Sequence, residues 1–157
     1  MLFLVDQLLR HKWWANTDLL RVPSQHQPAA EDPELRKLLH HVIVSNRYWT
    51  LLVLGEPFID EQEKRIPDSH SILMTQFAET ERIELDWLSR ATPEELDRQL
   101  QPRALPGTTI SVPQAMIQVS LHSHGHRSQC TSRLRALGGT PAPMDFVLWV
   151  SDREPAI

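Results

Sequence analysis

The stretch SLHSHGHRSQ, residues 120–129, places three histidines in five positions. Neutral imidazole is a ligand for zinc, nickel and similar divalent ions, so the question is which of the three can share one. Successive residues of an α-helix turn by about 100°, so positions i and i+4 lie about 40° apart, one above the other. His122 and His126 form such a pair, whereas His124, about 200° from His122, points to the opposite side. Their face also carries Ala115, Gln118, Val119, Gln129 and Arg133. That mixture of small apolar residues and a polar line suits a lined cavity better than a solvated face or a dry core. With eight histidines in the chain, an i, i+4 pair on a plain surface is the competing reading.

Two imidazoles hold a divalent ion weakly, and catalytic sites usually have three protein ligands and an open position. A third ligand has to come from another helix, and LLHHVIVSNRYW offers two. His40 shares a side with Arg36 and Arg47 and is expected to face water. His41, in line with Leu38, Ser45 and Leu52 and beside Trp49, is expected to face inward. A lone inward histidine is ordinarily a hydrogen-bonded core residue; one opposite an inward pair makes a three-imidazole set suited to zinc or nickel. His11, His26, His70 and His124 are expected at the surface. HSHGH lacks the glutamate of a HExxH metalloprotease.

Four long periodic segments must position these residues. The first runs from about Leu2 to Arg21, with Leu2, Val5, Leu8, Leu9, Leu19 and Leu20 on one face and Asn16 among them; PSQHQPAAED breaks it. The second opens at DPEL, where Asp32 can cap and Pro33 suits the first turn, and ends at Leu54 before Gly55. The third runs from about Ser69 to Arg90, with Leu73, Phe77, Trp87 and Leu88 on its stripe. TPEE reads as a short capped turn, and PG followed by TTISV predicts a small hairpin. The fourth starts near Ser111, where Ser111 and Gln114 fit a capping box around Pro113, and stops at Leu137 before GG. MDFVLWV predicts a short C-terminal helix across one end. The expectation is an all-α, single-domain four-helix bundle over residues 1–157.

The remaining features narrow the class. The length suits one core; 41% apolar and 23% charged residues are ordinary for a soluble globular chain. A net charge of −4 without a basic block gives no reason to expect nucleic acid. Cys130, the single cysteine, excludes an intramolecular disulfide and fits a reducing compartment. No apolar run approaches the ~20 residues of a membrane span, and MLFLVDQLLRHKWW reads as a helix rather than a signal peptide, so the cytoplasm is expected. Trp14, opposite the core stripe of the first helix, suggests a homodimer.

The same residues carry a family resemblance. WWAN (13–16), HVIVSNRYW (41–49), HSHGHRSQ (122–129) and the ending ALGGTPAPMDFVLWV, in that order, resemble the motifs of the DinB-like (DinB/YfiT) superfamily of metal-binding four-helix bundles. The resemblance implies three histidine ligands, one from the second helix and two from the fourth: His41, His122 and His126. Two positions depart from the pattern. The second-helix motif often carries Asp where this chain has Asn46, and the fourth-helix motif often carries Gly where it has Ser128. Similar proteins include transferases acting on low-molecular-weight thiols and a thiol-dependent maleylpyruvate isomerase; what unites them is metal activation of a thiol or water.

The resemblance therefore implies a metal-dependent transferase or hydrolase with a small-molecule substrate. The alternative is a non-enzymatic bundle whose metal ties two helices together, with a structural or stress-response role. Asn16, Asn46, Gln129 and Arg133 are candidates to support the ligands or contact substrate. An ion pair of Arg133 with Glu84 is the competing reading for Arg133. Cys130 is expected to be a buried structural cysteine, and Trp13, Trp49 and Trp87 core or interface residues.

Overall fold

The structure, a computed structural model, describes residues 1–153. Its elements run α1 (Leu2–Gln25), α2 (Gln27–Glu31), α3 (Pro33–Leu54), α4 (Asp60–Glu63), α5 (His70–Arg90), α6 (Pro93–Asp97), β1 (Gln99–Leu100), β2 (Ile110–Ser111), α7 (Val112–Ala136) and α8 (Phe146–Arg153). The four long helices α1, α3, α5 and α7 follow the predicted segments. Each of α5 and α7 packs on both α1 and α3, giving the cyclic order α1–α7–α3–α5. No helix among the described residues is long and apolar enough to cross a membrane.

The caps explain why the boundaries fall where they do. The Asp32 carboxylate accepts from Leu35 N at 2.7 Å and starts α3, while Gly55, at φ 73°, closes it in the left-handed region. Ser69 and Thr92 cap α5 and α6, and the Ser111–Gln114 capping box starts α7. Helix α1 runs one turn past its expected end, because Pro23 deletes one N–H but does not stop the following turn. Ser24 Oγ donates to Leu20 O there at 3.0 Å. The expected hairpin forms, pairing Gln99 with Ser111 and Leu100 with Ile110. Helix α8 packs on α1, with Trp149 buried beside His11.

Burial at three- and four-residue spacing gives each long helix its core stripe. Halfway along the bundle that stripe turns polar on all four: Lys12 and Asn16, Asn46 and Thr50, Thr80 and Glu84, Ser120, Ser123 and Arg127 are all buried. This layer separates an apolar cluster built on Val5, Leu9, Trp49 and Trp87 from another built on Leu19, Leu39, Phe77 and Leu134. Glu84 is its hub. Its carboxylate accepts from Lys12 Nζ, from Trp13 Nε1 at 2.6 Å and from Thr50 Oγ1 at 3.0 Å. Ser123 Oγ donates to Asn46 Oδ1 at 2.5 Å, and Arg127 Nη1 to Asn16 Oδ1 at 3.2 Å.

Arg133 does not meet Glu84. It sits near the end of α7, where it forks onto Asp32 at 3.0 and 2.7 Å and reaches Glu34 at 3.0 Å. Asp32 therefore both caps α3 and ties it to α7. Asp32→Ala is expected to cost about 1–2 kcal/mol, lowering Tm by ~2–8 °C for a chain of this size. Asp32→Asn, which keeps the cap and loses the charge, should recover most of that; thermal denaturation of both variants checks it.

Candidate metal centre

The structure brings His41, His122 and His126 together between α3 and α7. One ring nitrogen of each lies within 4.8 Å of the others. The ring centroids of His126 stand 4.3 Å from both His41 and His122, and those of His41 and His122 are 5.6 Å apart. Among the described residues this is the one cluster of three or more His, Cys, Asp or Glu side chains with donors so close. Tetrahedral ligands ~2.0–2.1 Å from an ion lie about 3.4 Å from one another, so modest ring rotations would seat one. Partial desolvation between α3 and α7 holds the imidazoles of His41 and His122 below their ordinary 6.5, and the neighbouring rings push the same way, His126 on both and His41 on His122. All of this favours the neutral, ligating form.

Two neighbours fix the rings. His126 Nδ1 donates to Gln129 Oε1 at 2.9 Å, which leaves Nε2 with its lone pair. His122 Nε2 bonds Ser45 Oγ at 3.0 Å, leaving Nδ1 free. Gln129 thus stands where the sequence suggested, next to the ligand set. Ser45 was missed as a partner, although its position four residues after His41 places it one turn along the same face. Gln129→Ala is expected to weaken metal binding by ~10–100-fold, as loss of ligand-orienting partners does, without changing stoichiometry at saturating metal. Titration with zinc against a chromophoric chelator reads this directly.

The other candidates lie elsewhere. Asn16 and Asn46 belong to the buried polar layer and line a separate cavity of about 160 Å³ between α1, α3 and α5, with Lys12, Glu81 and Glu84. Arg133 is committed to Asp32. Cys130 is fully buried, and burial pushes its thiol to about 12, so it is no nucleophile near neutral pH. Arg127, which follows His126, is also fully buried; desolvation lowers its guanidinium to about 10.

Three expectations about histidine exposure are reversed, those for His40, His41 and His11. His40 is buried, its Nε2 bonded to Glu63 O at 3.1 Å, because segment 56–68 folds over that side of α3. His41 instead faces an open groove and is exposed. His11 is buried against α8, with Nε2 bonded to Met144 O at 2.9 Å; His26 and His70 bond Leu137 O and Leu20 O. His124 is exposed as expected. Trp14 is only half-exposed.

The groove beside the histidines holds about 820 Å³. Tyr48, Trp49 and Phe58 supply aromatic wall, and His41, Ser45 and His122 line its histidine side.

The DinB family profile matches residues 1–154. The chain belongs to the DinB family. A DinB-like protein from Bacillus cereus ATCC 10987, solved by crystallography, superposes with a TM-score of 0.72 at 14% identity, covering 88% of this chain and 94% of that one. At that identity the likeness speaks for the DinB-like fold alone. No curated protein matches the chain.

Desolvation in the fold lowers the pKa of five imidazoles, those of His11, His40, His41, His70 and His122. Their folded values lie below the unfolded 6.5, so the unfolded chain binds more protons in that window. The metal-free protein should keep its full stability above pH 6.5. It should lose stability as pH falls through 6.5 toward the folded values. Thermal denaturation between pH 7.5 and 5, with chelator present, should show Tm falling steadily with acid.

Proposed function

We propose that this DinB family member is a metal-dependent transferase or hydrolase. It binds one divalent ion, zinc or nickel, through His41, His122 and His126, and activates a low-molecular-weight thiol or water. The observation that carries this reading is the convergence of three imidazole nitrogens within 4.8 Å beside an open groove. A bound divalent ion supplies a Lewis acid that lowers the pKa of a thiol or water placed in its open position. The chain's own residues do the rest. Three neutral imidazoles leave the ion's charge undiminished, Gln129 and Ser45 hold two of the rings, and the aromatic wall seats the substrate's apolar part. Asn46, turned to Ser123, contributes no charge there.

A purely structural metal would call for a fourth protein ligand to close the site. The exposure of His41 on the groove favours the enzymatic reading. The test is transfer of cysteine or glutathione to an electrophile, with hydrolysis assayed in parallel. Activity should vanish with chelator, return with zinc or nickel, and decline as pH falls below 6.5, where protons compete for the imidazoles. Turnover that survives metal removal and His122→Ala would contradict it. We also propose a homodimer, supported by the apolar side chains that α1, α7 and α8 leave exposed, Phe3, Leu121 and Val147 among them. Light scattering should give twice the single-chain mass; a single-chain mass at micromolar concentration would contradict it.

A further inference from the structure

Three of the four charged side chains that line the groove are basic, in a chain whose net charge is acidic. The net charge is −4, yet Lys37, Lys64 and Arg103 line the groove against one carboxylate, Asp60. Lys64 and Arg103 share that carboxylate, and among the described residues Lys37 has no acidic partner within 4.0 Å. Glu63, on the adjoining helix α4, is taken up by Arg47 in a two-pronged pair at 2.5 and 2.8 Å. Among the residues that line the groove, three cations thus face one carboxylate.

Arg103 is positioned for recognition. It sits in the loop between β1 and β2, and the same loop is tied to α3 because Ala104 N donates to Tyr48 Oη at 3.0 Å. The guanidinium lies over the rings of Phe58 and Tyr48, 5.4 and 6.0 Å from their centroids. Stacking of this kind steadies the guanidinium and leaves its edge free for hydrogen bonds. Of its five N–H donors, one is used, on Asp60. Tyr48, whose ring Arg103 lies over, is seven residues along α3 from His41, about 10 Å along the helix axis.

We propose that the groove takes a small organic anion, its apolar body against Tyr48, Trp49 and Phe58 and its carboxylate or phosphate on Arg103, with Lys37 and Lys64 adding to the field. Making this anion the substrate, reacting at the histidine end, rests on the function proposed above; its binding does not. The hairpin then has a role, which is to carry Arg103 to the groove.

Calorimetric titration with 3-phenylpropionate, phenyl phosphate and 3-phenylpropanamide tests this in both metal-free and zinc-loaded protein. At least one of the two anions should bind 10-fold or more tighter than the amide in both forms, and which one does separates carboxylate from phosphate. Arg103→Gln, a change on an exposed loop, should remove that preference, and Lys37→Gln should weaken the same anion by two- to threefold. Binding of the amide should move by less than twofold in either variant. Equal affinity for acids and amide, or an anion preference untouched by Arg103→Gln, would overturn the proposal. Anion binding seen only with zinc and indifferent to Arg103 would also overturn it, while leaving the metal-centred function standing. Arg103-dependent binding without any thiol transfer or hydrolysis would leave the anion site standing and remove the function.

Discussion

His122→Ala is expected to lower zinc affinity by on the order of 100-fold or more, beyond the ~10–100-fold that follows from losing an orienting partner alone. His41→Ala and His126→Ala should do the same, because two imidazoles hold a divalent ion weakly. The contrast lies with their neighbours. His124 is two residues from His122 but on the far side of α7 and exposed; His40 is adjacent to His41 but bonded to Glu63 O. Alanine at either should leave affinity within about threefold of the parent, since neither contributes a nitrogen to the cluster. Competitive titration of all five variants against a chromophoric chelator reads the set in one experiment. Loss of binding in His124→Ala or His40→Ala, with retention in His41→Ala, would reverse the assignment.

The second large effect concerns stability. Glu84→Ala is expected to destabilise the fold by about 3–5 kcal/mol, the usual result of removing one partner of a buried ion pair. At ~2–4 °C per kcal/mol for a chain of this size, Tm should fall by roughly 6–20 °C. The cause is specific. Lys12 is 1% exposed and Glu84 0%, so deleting the carboxylate strands a buried ammonium together with the Trp13 indole N–H and the Thr50 hydroxyl. Lys12→Met should cost less, because Glu84 keeps two neutral donors. The double variant Lys12→Met, Glu84→Leu should be more stable than the sum of the single effects predicts, since no charge is left unpaired. Additive losses in denaturant titrations would show that the two side chains are not coupled.

What the sequence reveals depends on whether neighbours in space are also neighbours along a helix. The pairing of His122 with His126, the exclusion of His124 and the capping of α3 and α7 follow from local geometry, and the structure repeats them. The pattern of their own helix alone turns His40 to water and His41 inward. Segment 56–68 has no periodicity that would announce where it folds, and by covering one side of α3 it buries His40. Arg133 and Glu84 both lie on inner stripes, which makes them partners on helix geometry alone. The relative stagger of two helices is a tertiary quantity, and it puts Arg133 at the start of α3 and Glu84 in mid-bundle. The polar layer was hidden for a related reason. Lys12 and Arg127 look like ordinary surface charges, and Glu84 on its inner stripe has no evident tie to Lys12, until three helices bring them to one level. Arg103 carries no local signal, since its place depends on how the hairpin loop docks onto Tyr48.

The proposed centre is tested most directly by diffraction from crystals of the zinc-loaded protein, with anomalous data collected at the zinc edge. One strong peak per chain is expected, about 2.0–2.1 Å from a single nitrogen of each of His41, His122 and His126, with a non-protein ligand completing the coordination on the groove side. A peak elsewhere, or one at this cluster closed by a fourth side chain, would contradict an open three-histidine centre.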